Sequence, residues 1–110
     1  MIKVSIHRDE MMAQFVVNGH ARYAEPGQDI VCAAISTITH LLASMAEAWR
    51  ESVPTMRNLV SADGDDSAPW HIFIDTSGNA AVDAALDCII DAYQQVAEQF
   101  PQNVIVRMID

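Results

Sequence analysis

The sequence predicts an α+β fold with its elements in the order β-β-α-β-β-α-β. Two observations carry this prediction. Short segments alternate apolar and polar residues with period two, which is typical of half-buried strands, and two long segments space their apolar residues 4, 3, 4, 3, 4, which is typical of helices. Two helices covering one face of a mostly antiparallel sheet satisfy both patterns. The 110 residues, 51% of them apolar, fit one domain over residues 1–110.

The first two strands are predicted at residues 2–7 and 11–17. Each alternates apolar and polar residues, and residues 8–10 between them read as a polar turn, so the pair forms a hairpin. Asn18-Gly19 ends the second strand, because both residues tolerate the left-handed backbone of a turn. Residues 19–28 lack any periodicity and form a loop, which is long for a compact domain and therefore a candidate for function.

The first helix is predicted near residues 30–51. Asp29 is a suitable N-cap and Pro54 discourages continuation beyond the far end. The apolar stripe of this helix consists of Val31, Ile35, Ile38, Leu42, Met45 and Trp49.

The second half repeats the outline of the first, without repeating its residues. Strands are predicted at residues 57–63 and 70–75, a second helix runs from Asn79 or Ala80 to a point before Pro101, and residues 104–108 form the last strand. The stripe of the second helix consists of Val82, Leu86, Ile89, Tyr93, Val96 and Phe100.

Charge and composition restrict the classes of partner and compartment. The net charge of −9, with 6 Lys and Arg against 15 Asp and Glu, argues against a nucleic-acid partner. An acidic surface favours encounter with basic partners or substrates, but charge alone gives more weight to the alternative that it keeps a small protein soluble. No stretch approaches the ~20 continuous apolar residues of a membrane span, and the alternating N-terminus does not resemble a signal peptide. We therefore expect a cytoplasmic protein that does not contact a membrane, with both cysteines as thiols.

Cys32 is the first candidate for chemistry, because it falls in the first turn of the first helix. The N–H groups there lack partners within the helix, and the helix dipole favours negative charge. Both effects stabilise a thiolate, the nucleophilic form of cysteine. The same N–H groups can donate to an oxyanion that develops during acyl transfer.

His20 is the second candidate, because it follows the second strand directly. If the loop returns the chain so that its imidazole reaches Cys32, the pair has the base and the acid that acyl transfer to sulfur requires. Ser36 and Thr39 continue a polar strip from Cys32 along the helix, so Ser36 can support the site through a hydrogen bond. Asp29 either caps the helix or orients His20, and we expect capping to dominate.

Other interpretations of these residues stay open at this point. A lone helical cysteine is often a small buried hydrophobic residue, and this is the role expected for Cys88 on the second helix. Cys32, His20 and a carboxylate can bind zinc, although their spacing is not specific for a metal site. A redox-active thiol is a further alternative.

Two motifs carry a resemblance to a known family. Asn18-Gly19-His20-Ala21 and the segment from Asp29 to Ser36 (DIVCAAIS), with Tyr23-Ala24-Glu25 between them, resemble the ribosomal-processing cysteine protease Prp family. The resemblance implies a cysteine endopeptidase, without cofactor or metal, that removes the N-terminal extension of a bacterial large-subunit ribosomal protein, number twenty-seven.

The resemblance also assigns roles to residues. His20 and Cys32 take the catalytic positions, Asp29 and Ser36 assist, and members are typically homodimers. The loop between the motifs is implied to act as a lid over the substrate, and its candidate residues are Gly19, Ala21, Arg22, Tyr23 and Gly27. The alternative from another functional class is a non-catalytic dimeric adaptor that binds a basic ribosomal protein.

Overall fold

The computed structural model describes residues 1–21, 23–25, 28–62 and 69–109, which form two helices and one sheet in the predicted order. The strands are β1 (Ile2–Arg8), β2 (Met12–Asn18), β3 (Leu59–Ser61), β4 (Trp70–Asp75) and β5 (Val104–Ile109), and the helices are α1 (Ile30–Ser52) and α2 (Ala80–Gln99). The predicted α+β class is confirmed.

The five-stranded sheet has the order β3-β4-β2-β1-β5. Three neighbouring pairs are antiparallel, as predicted, but β1 and β5 are parallel. The parallel pair follows from the connection through α2. A helical crossover returns the chain so that β5 runs in the direction of β4, and β4 already runs in the direction of β1.

Both helices lie on one face of the sheet. α1 packs against β3 and β4, α2 packs against β5, and the helices contact each other. Alternate side chains of the strands point into this layer and are fully buried, among them Val4, Phe15 and Ile72, whereas Gln14 and His71 on the opposite face are exposed. The period-two pattern therefore predicted which side of β1, β2 and β4 faces the core.

β3 is shorter than the predicted strand over residues 57–63, whose last residue lies outside the described residues. Asn58 is buried just before β3, where its side-chain amide donates to the carbonyl of Ala46 at 2.9 Å and its oxygen accepts the N–H of Asp75 at 2.8 Å. Asn58 thus ties the end of β4 to α1 through its side chain.

The polar strip predicted on α1 is wrong at Thr39, which is 1% exposed. Its hydroxyl donates to the carbonyl of Ile35 at 2.8 Å and lies 2.8 Å from the hydroxyl of Tyr93 on α2. Two such bonds allow a polar side chain to occupy the core. Burial raises the pKa of Tyr93 to about 12, although the bond to Thr39 acts in the opposite direction.

Cys88 also differs from its prediction, because it is exposed rather than packed. Its neighbours Ile89 and Ile90 take the core-facing positions of α2. Neither described cysteine forms a disulfide.

α1 is long and apolar enough, by length and composition alone, to cross a bilayer, with a mean hydropathy of 1.5 over its best 18-residue window. A core helix of a soluble domain passes the same test. Here Val31, Ile35 and Leu42 are buried within the domain, and we interpret α1 as such a core helix.

Candidate active site

The start of α1 is organised by Asp29, which confirms the predicted N-cap. One carboxylate oxygen of Asp29 accepts the N–H of Val31 at 3.0 Å and the N–H of Cys32 at 2.9 Å. The backbone carbonyl of Asp29 accepts the N–H of Ala33 at 3.1 Å. Cys32 is therefore held in the first helical turn, as predicted, and its side chain is half-buried.

These bonds differ from one sequence-based expectation. The sequence indicates that N–H groups of the first helical turn can donate to a developing oxyanion, but those of Val31, Cys32 and Ala33 all donate to Asp29. An aspartate at the N-cap competes for the same donors that an oxyanion would use.

The second carboxylate oxygen of Asp29 ties the loop to the helix by accepting the N–H of Tyr23 at 3.1 Å. Desolvation raises the pKa of Asp29, but hydrogen bonds to its carboxylate outweigh this effect and hold the pKa below its usual value of 3.8. The donors are the Cys32 backbone, the Tyr23 backbone, the Cys32 side chain and the Ala24 backbone. Asp29 is therefore a carboxylate at neutral pH, in contact with Cys32.

Ala21 forms the link between the end of β2 and the thiol. Its backbone N–H donates to the sulfur of Cys32 at 3.4 Å, and its side chain is 2% exposed. Its carbonyl accepts the side-chain amide of Asn103 at 2.9 Å. Both backbone groups of Ala21 thus form hydrogen bonds, and its N–H is directed at the sulfur of Cys32.

Gly19 allows the chain to leave β2 in the required direction. Its φ is +92°, in the left-handed region that favours glycine, and a Cβ placed there would lie 2.2 Å from the carbonyl oxygen of Met1. Both the conformation and the close approach exclude a side chain. The structure thus gives Gly19 a packing role beside the start of β1.

His20 lies between Gly19 and Ala21 and is exposed. Because the Ala21 nitrogen lies 3.4 Å from the sulfur, covalent geometry places the Cα of His20 within about 6 Å of that sulfur. The structure therefore brings together the backbones of the two predicted catalytic residues. Ser36 is exposed on α1, one turn beyond Cys32.

The predicted lid residues fall into two groups. Gly19, Ala21 and Tyr23 belong to the described residues, whereas Arg22 and Gly27 lie outside them. Gly19 and Ala21 are anchored as described above. The ring of Tyr23 meets the ring of Phe100, at the end of α2, edge to face at 5.3 Å, although Tyr23 remains 48% exposed.

In the part of the chain that the structure describes, no three His, Cys, Asp or Glu residues lie close enough together to hold a metal ion. The structure therefore gives no ligand set there for the zinc alternative.

Sequence reasoning missed Asn103. This residue lies in the turn between α2 and β5, where an asparagine is common and carries no signal of function. Its backbone carbonyl accepts the N–H of Ile2 at 2.8 Å while its side chain holds Ala21. Only the pairing of β5 with β1 brings it to the site.

Comparison with known proteins identifies related sequences and structures. A family model described as cysteine protease Prp matches residues 1–105. No protein of curated function matches the sequence.

Solved structures share the fold. The essential ribosomal processing protease Prp from Staphylococcus aureus, with a covalently linked product peptide, is 24% identical with a TM-score of 0.77, and the match covers 99% of this chain and 100% of that chain. The same protease with a substrate peptide is 23% identical, with a TM-score of 0.73 and the same coverage. A Streptococcus mutans protein is 23% identical with a TM-score of 0.72, covering 99% of this chain and 94% of its own.

Proposed function

The chain belongs to the cysteine protease Prp family, and we propose that it is an endopeptidase in which Cys32 is the nucleophile and His20 the general base. Its proposed substrate is a bacterial large-subunit ribosomal protein, number twenty-seven, from which it removes an N-terminal extension. Support comes from the Staphylococcus aureus relative, which is a ribosomal processing protease seen with a substrate peptide and with a linked product peptide.

The observation that carries the proposal is the hydrogen bond from the Ala21 N–H to the sulfur of Cys32 at 3.4 Å. It supports the dyad because Ala21 is bonded directly to His20. An imidazole spans several ångströms from its Cα, so its ring can reach a sulfur about 6 Å from that Cα by a choice of rotamer.

The reaction proposed for these residues proceeds in two stages. In the first, His20 takes the thiol proton of Cys32, and the sulfur forms a bond to the carbonyl carbon of the peptide. The carbon–nitrogen bond then breaks, and the proton passes from His20 to the leaving amine, which leaves a thioester on Cys32. In the second, His20 takes a proton from water as the water oxygen bonds to the thioester carbon. The carbon–sulfur bond then breaks, the proton returns from His20 to the sulfur of Cys32, and the acid product leaves.

The charge of the protein supports a basic substrate. The net charge is −9, and α2 exposes Asp87, Asp91 and Glu98 on its outer side. A negative surface raises the rate of encounter with a positively charged ribosomal protein.

We further propose that the protein acts as a homodimer in the cytoplasm, where ribosomal proteins are made. The face of the sheet opposite the helices supports this, because it carries the apolar side chains of Val16, Leu59 and Phe73, of which Leu59 is 65% exposed. A second copy can cover them. Sedimentation should give a dimer for the wild type and a monomer for Phe73→Glu, and a monomeric wild type contradicts this part of the proposal.

The peptidase is tested with the extended ribosomal protein and mass spectrometry of the products. Cys32→Ala should lower the cleavage rate by at least about a thousandfold, because the bond-forming atom is gone, and His20→Ala by about 10²–10⁴-fold, because proton transfer loses its carrier. Cys88→Ser and His40→Ala are the matched controls, since both residues are exposed and lie outside the site and outside the proposed dimer face. Both controls should cut at the wild-type rate.

Two results would overturn the assignment. Cleavage that survives both Cys32→Ala and His20→Ala would remove the dyad. Binding of the ribosomal protein without any product, even by the wild type after long incubation, would favour the dimeric adaptor instead.

A further inference from the structure

The turn before β5 reaches the candidate nucleophile through one residue, Ala21. The side-chain amide of Asn103 donates to the carbonyl of Ala21 at 2.9 Å, and the N–H of Ala21 donates to the sulfur of Cys32 at 3.4 Å. Because the two bonds act on the two ends of one residue, the bond from Asn103 restrains the residue whose N–H is directed at the sulfur.

Asn103 is itself held by its backbone. Its N–H donates to the carbonyl of Phe100 at 2.9 Å, and its carbonyl accepts the N–H of Ile2 at 2.8 Å. Its side chain has only two rotatable bonds, so little freedom remains for the amide that meets Ala21. The arrangement is therefore preorganised by the junction of β1 and β5.

The N–H of Ala21 matters because N–H groups at the start of α1 donate to another acceptor than the site of reaction. The N–H groups of Val31 and Cys32 donate to the carboxylate of Asp29. That carboxylate also accepts a hydrogen bond from the Cys32 side chain, and its negative charge disfavours a thiolate. An N–H directed at the sulfur counters this effect, since a hydrogen bond to an ionised acceptor is about twice as strong as one to a neutral acceptor.

We propose that Asn103 is a positioning residue for the nucleophile, which anchors Ala21 through its carbonyl so that the N–H of Ala21 stabilises negative charge on the sulfur of Cys32. The inference rests on the proposed role of Cys32 as nucleophile. Among the residues that the structure describes, the charged or titratable groups identified beside the sulfur are Asp29, whose carboxylate contacts it, and His20, which precedes Ala21. The amino terminus lies at the same end of the sheet, since the carbonyl of Met1 adjoins Gly19.

The test measures the reactivity of the thiol, without any substrate. Cys88→Ser serves as the background, so that the exposed second thiol does not contribute. In this background, the rate of alkylation by iodoacetamide is recorded against pH for Asn103, Asn103→Ala and Asn103→Leu. Both replacements are neutral, and both keep the backbone bonds of residue 103. We expect the midpoint of the profile to rise by roughly 0.5–1 pH unit in both variants.

Asn58→Ala is the matched control. Asn58 also donates its side-chain amide to a backbone carbonyl at 2.9 Å, but that carbonyl belongs to Ala46, about 21 Å along α1 from Cys32. The Asn58→Ala replacement should lower the unfolding temperature and leave the midpoint of the alkylation profile unchanged. An unchanged midpoint in folded Asn103 variants, or an equal rise with Asn58→Ala, overturns the proposal.

If the Asn103 variants do not fold, the proposal is tested on the protein that keeps Asn103. The amide proton of Ala21 should shift with pH in NMR spectra at the same midpoint as the alkylation profile, because its acceptor changes charge. An Ala21 amide that does not follow the thiol contradicts the proposal. Cleavage of the ribosomal protein is recorded separately, so its absence would count against the proposed substrate and not against the role of Asn103.

Discussion

Asp29 combines structural and chemical roles at the candidate site. Its two carboxylate oxygens hold the first turn of α1 and the N–H of Tyr23 in the loop, so one side chain orients both flanks of the thiol. The same carboxylate places a negative charge beside Cys32, which disfavours the thiolate. The N–H of Ala21 acts in the opposite direction, because a hydrogen bond donated to the sulfur favours its charged form.

Replacement of Asp29 by Asn tests the charged part of this role. Asn also caps helices well, so Asp29→Asn keeps the acceptor and removes the charge. The pKa of Asp29 is lowered in the folded protein, so its charge stabilises the fold above about pH 4, and this contribution is lost as pH falls through the folded value. We expect Asp29→Asn to lower the unfolding temperature by roughly 1–3 °C at pH 7.

Thermal unfolding from pH 7 to pH 2.5 checks this prediction, with Asp91→Asn as the control for a general loss of charge. The difference between wild type and Asp29→Asn should shrink below pH 4. A difference that stays constant over the whole range would contradict it.

At the scale of elements, a pair of hydroxyl groups joins the two helices. Thr39 of α1 and Tyr93 of α2 lie 2.8 Å apart in the core, and the ring of Tyr93 also packs against Phe15 of β2, with centroids 6.4 Å apart. This contact fixes α1 against α2 two turns beyond Cys32. The start of α1, and with it the site, is therefore supported from the interior.

Tyr93→Phe should cost about 0.5–1.5 kcal/mol of unfolding free energy at pH 7, because Thr39 keeps its bond to the carbonyl of Ile35. The pKa of Tyr93 is raised to about 12 in the folded protein. The neutral phenol is thus favoured by the fold, and wild-type stability should fall as pH rises from about 10 toward 12.

Urea unfolding at pH 7, 9 and 11 measures both effects. The advantage of wild type over Tyr93→Phe should shrink at pH 11, while Tyr23→Phe, on the exposed loop, should show no comparable change. An advantage that is equal at pH 7 and pH 11 would be evidence against burial as the cause.

At the scale of the whole molecule, the sheet topology assembles the site. β1 lies between β2 and β5, antiparallel to the first and parallel to the second. The end of β2 and the starts of β1 and β5 therefore meet at one end of the sheet. His20 and Ala21 follow β2, Asn103 precedes β5, and α1 begins above them, which brings distant parts of the chain around Cys32.

Net charge also acts at this scale. If the acidic protein attracts a basic substrate, kcat/KM for the extended ribosomal protein should fall several-fold between about 50 and 300 mM salt, because ions screen charges beyond the Debye length. A short uncharged peptide with the same cleavage site should show little salt dependence. Equal dependence for the two substrates would exclude steering by charge.

The sequence by itself determined the element order, the core-facing side of β1, β2 and β4, the cap at Asp29 and the place of Cys32 at the start of α1. These features depend on periodicity and on bonds between residues close in the chain, so a local pattern reports them. The motifs around His20 and Cys32 also pointed to the family.

Only the tertiary structure decided the rest. The parallel pairing of β5, the burial of Thr39 against Tyr93, the exposure of Cys88 and the contact of Asn103 with Ala21 each depend on what packs opposite a residue. Such contacts join residues as far apart as 102 positions in the chain, and they depend on the arrangement of whole elements, which no local pattern encodes.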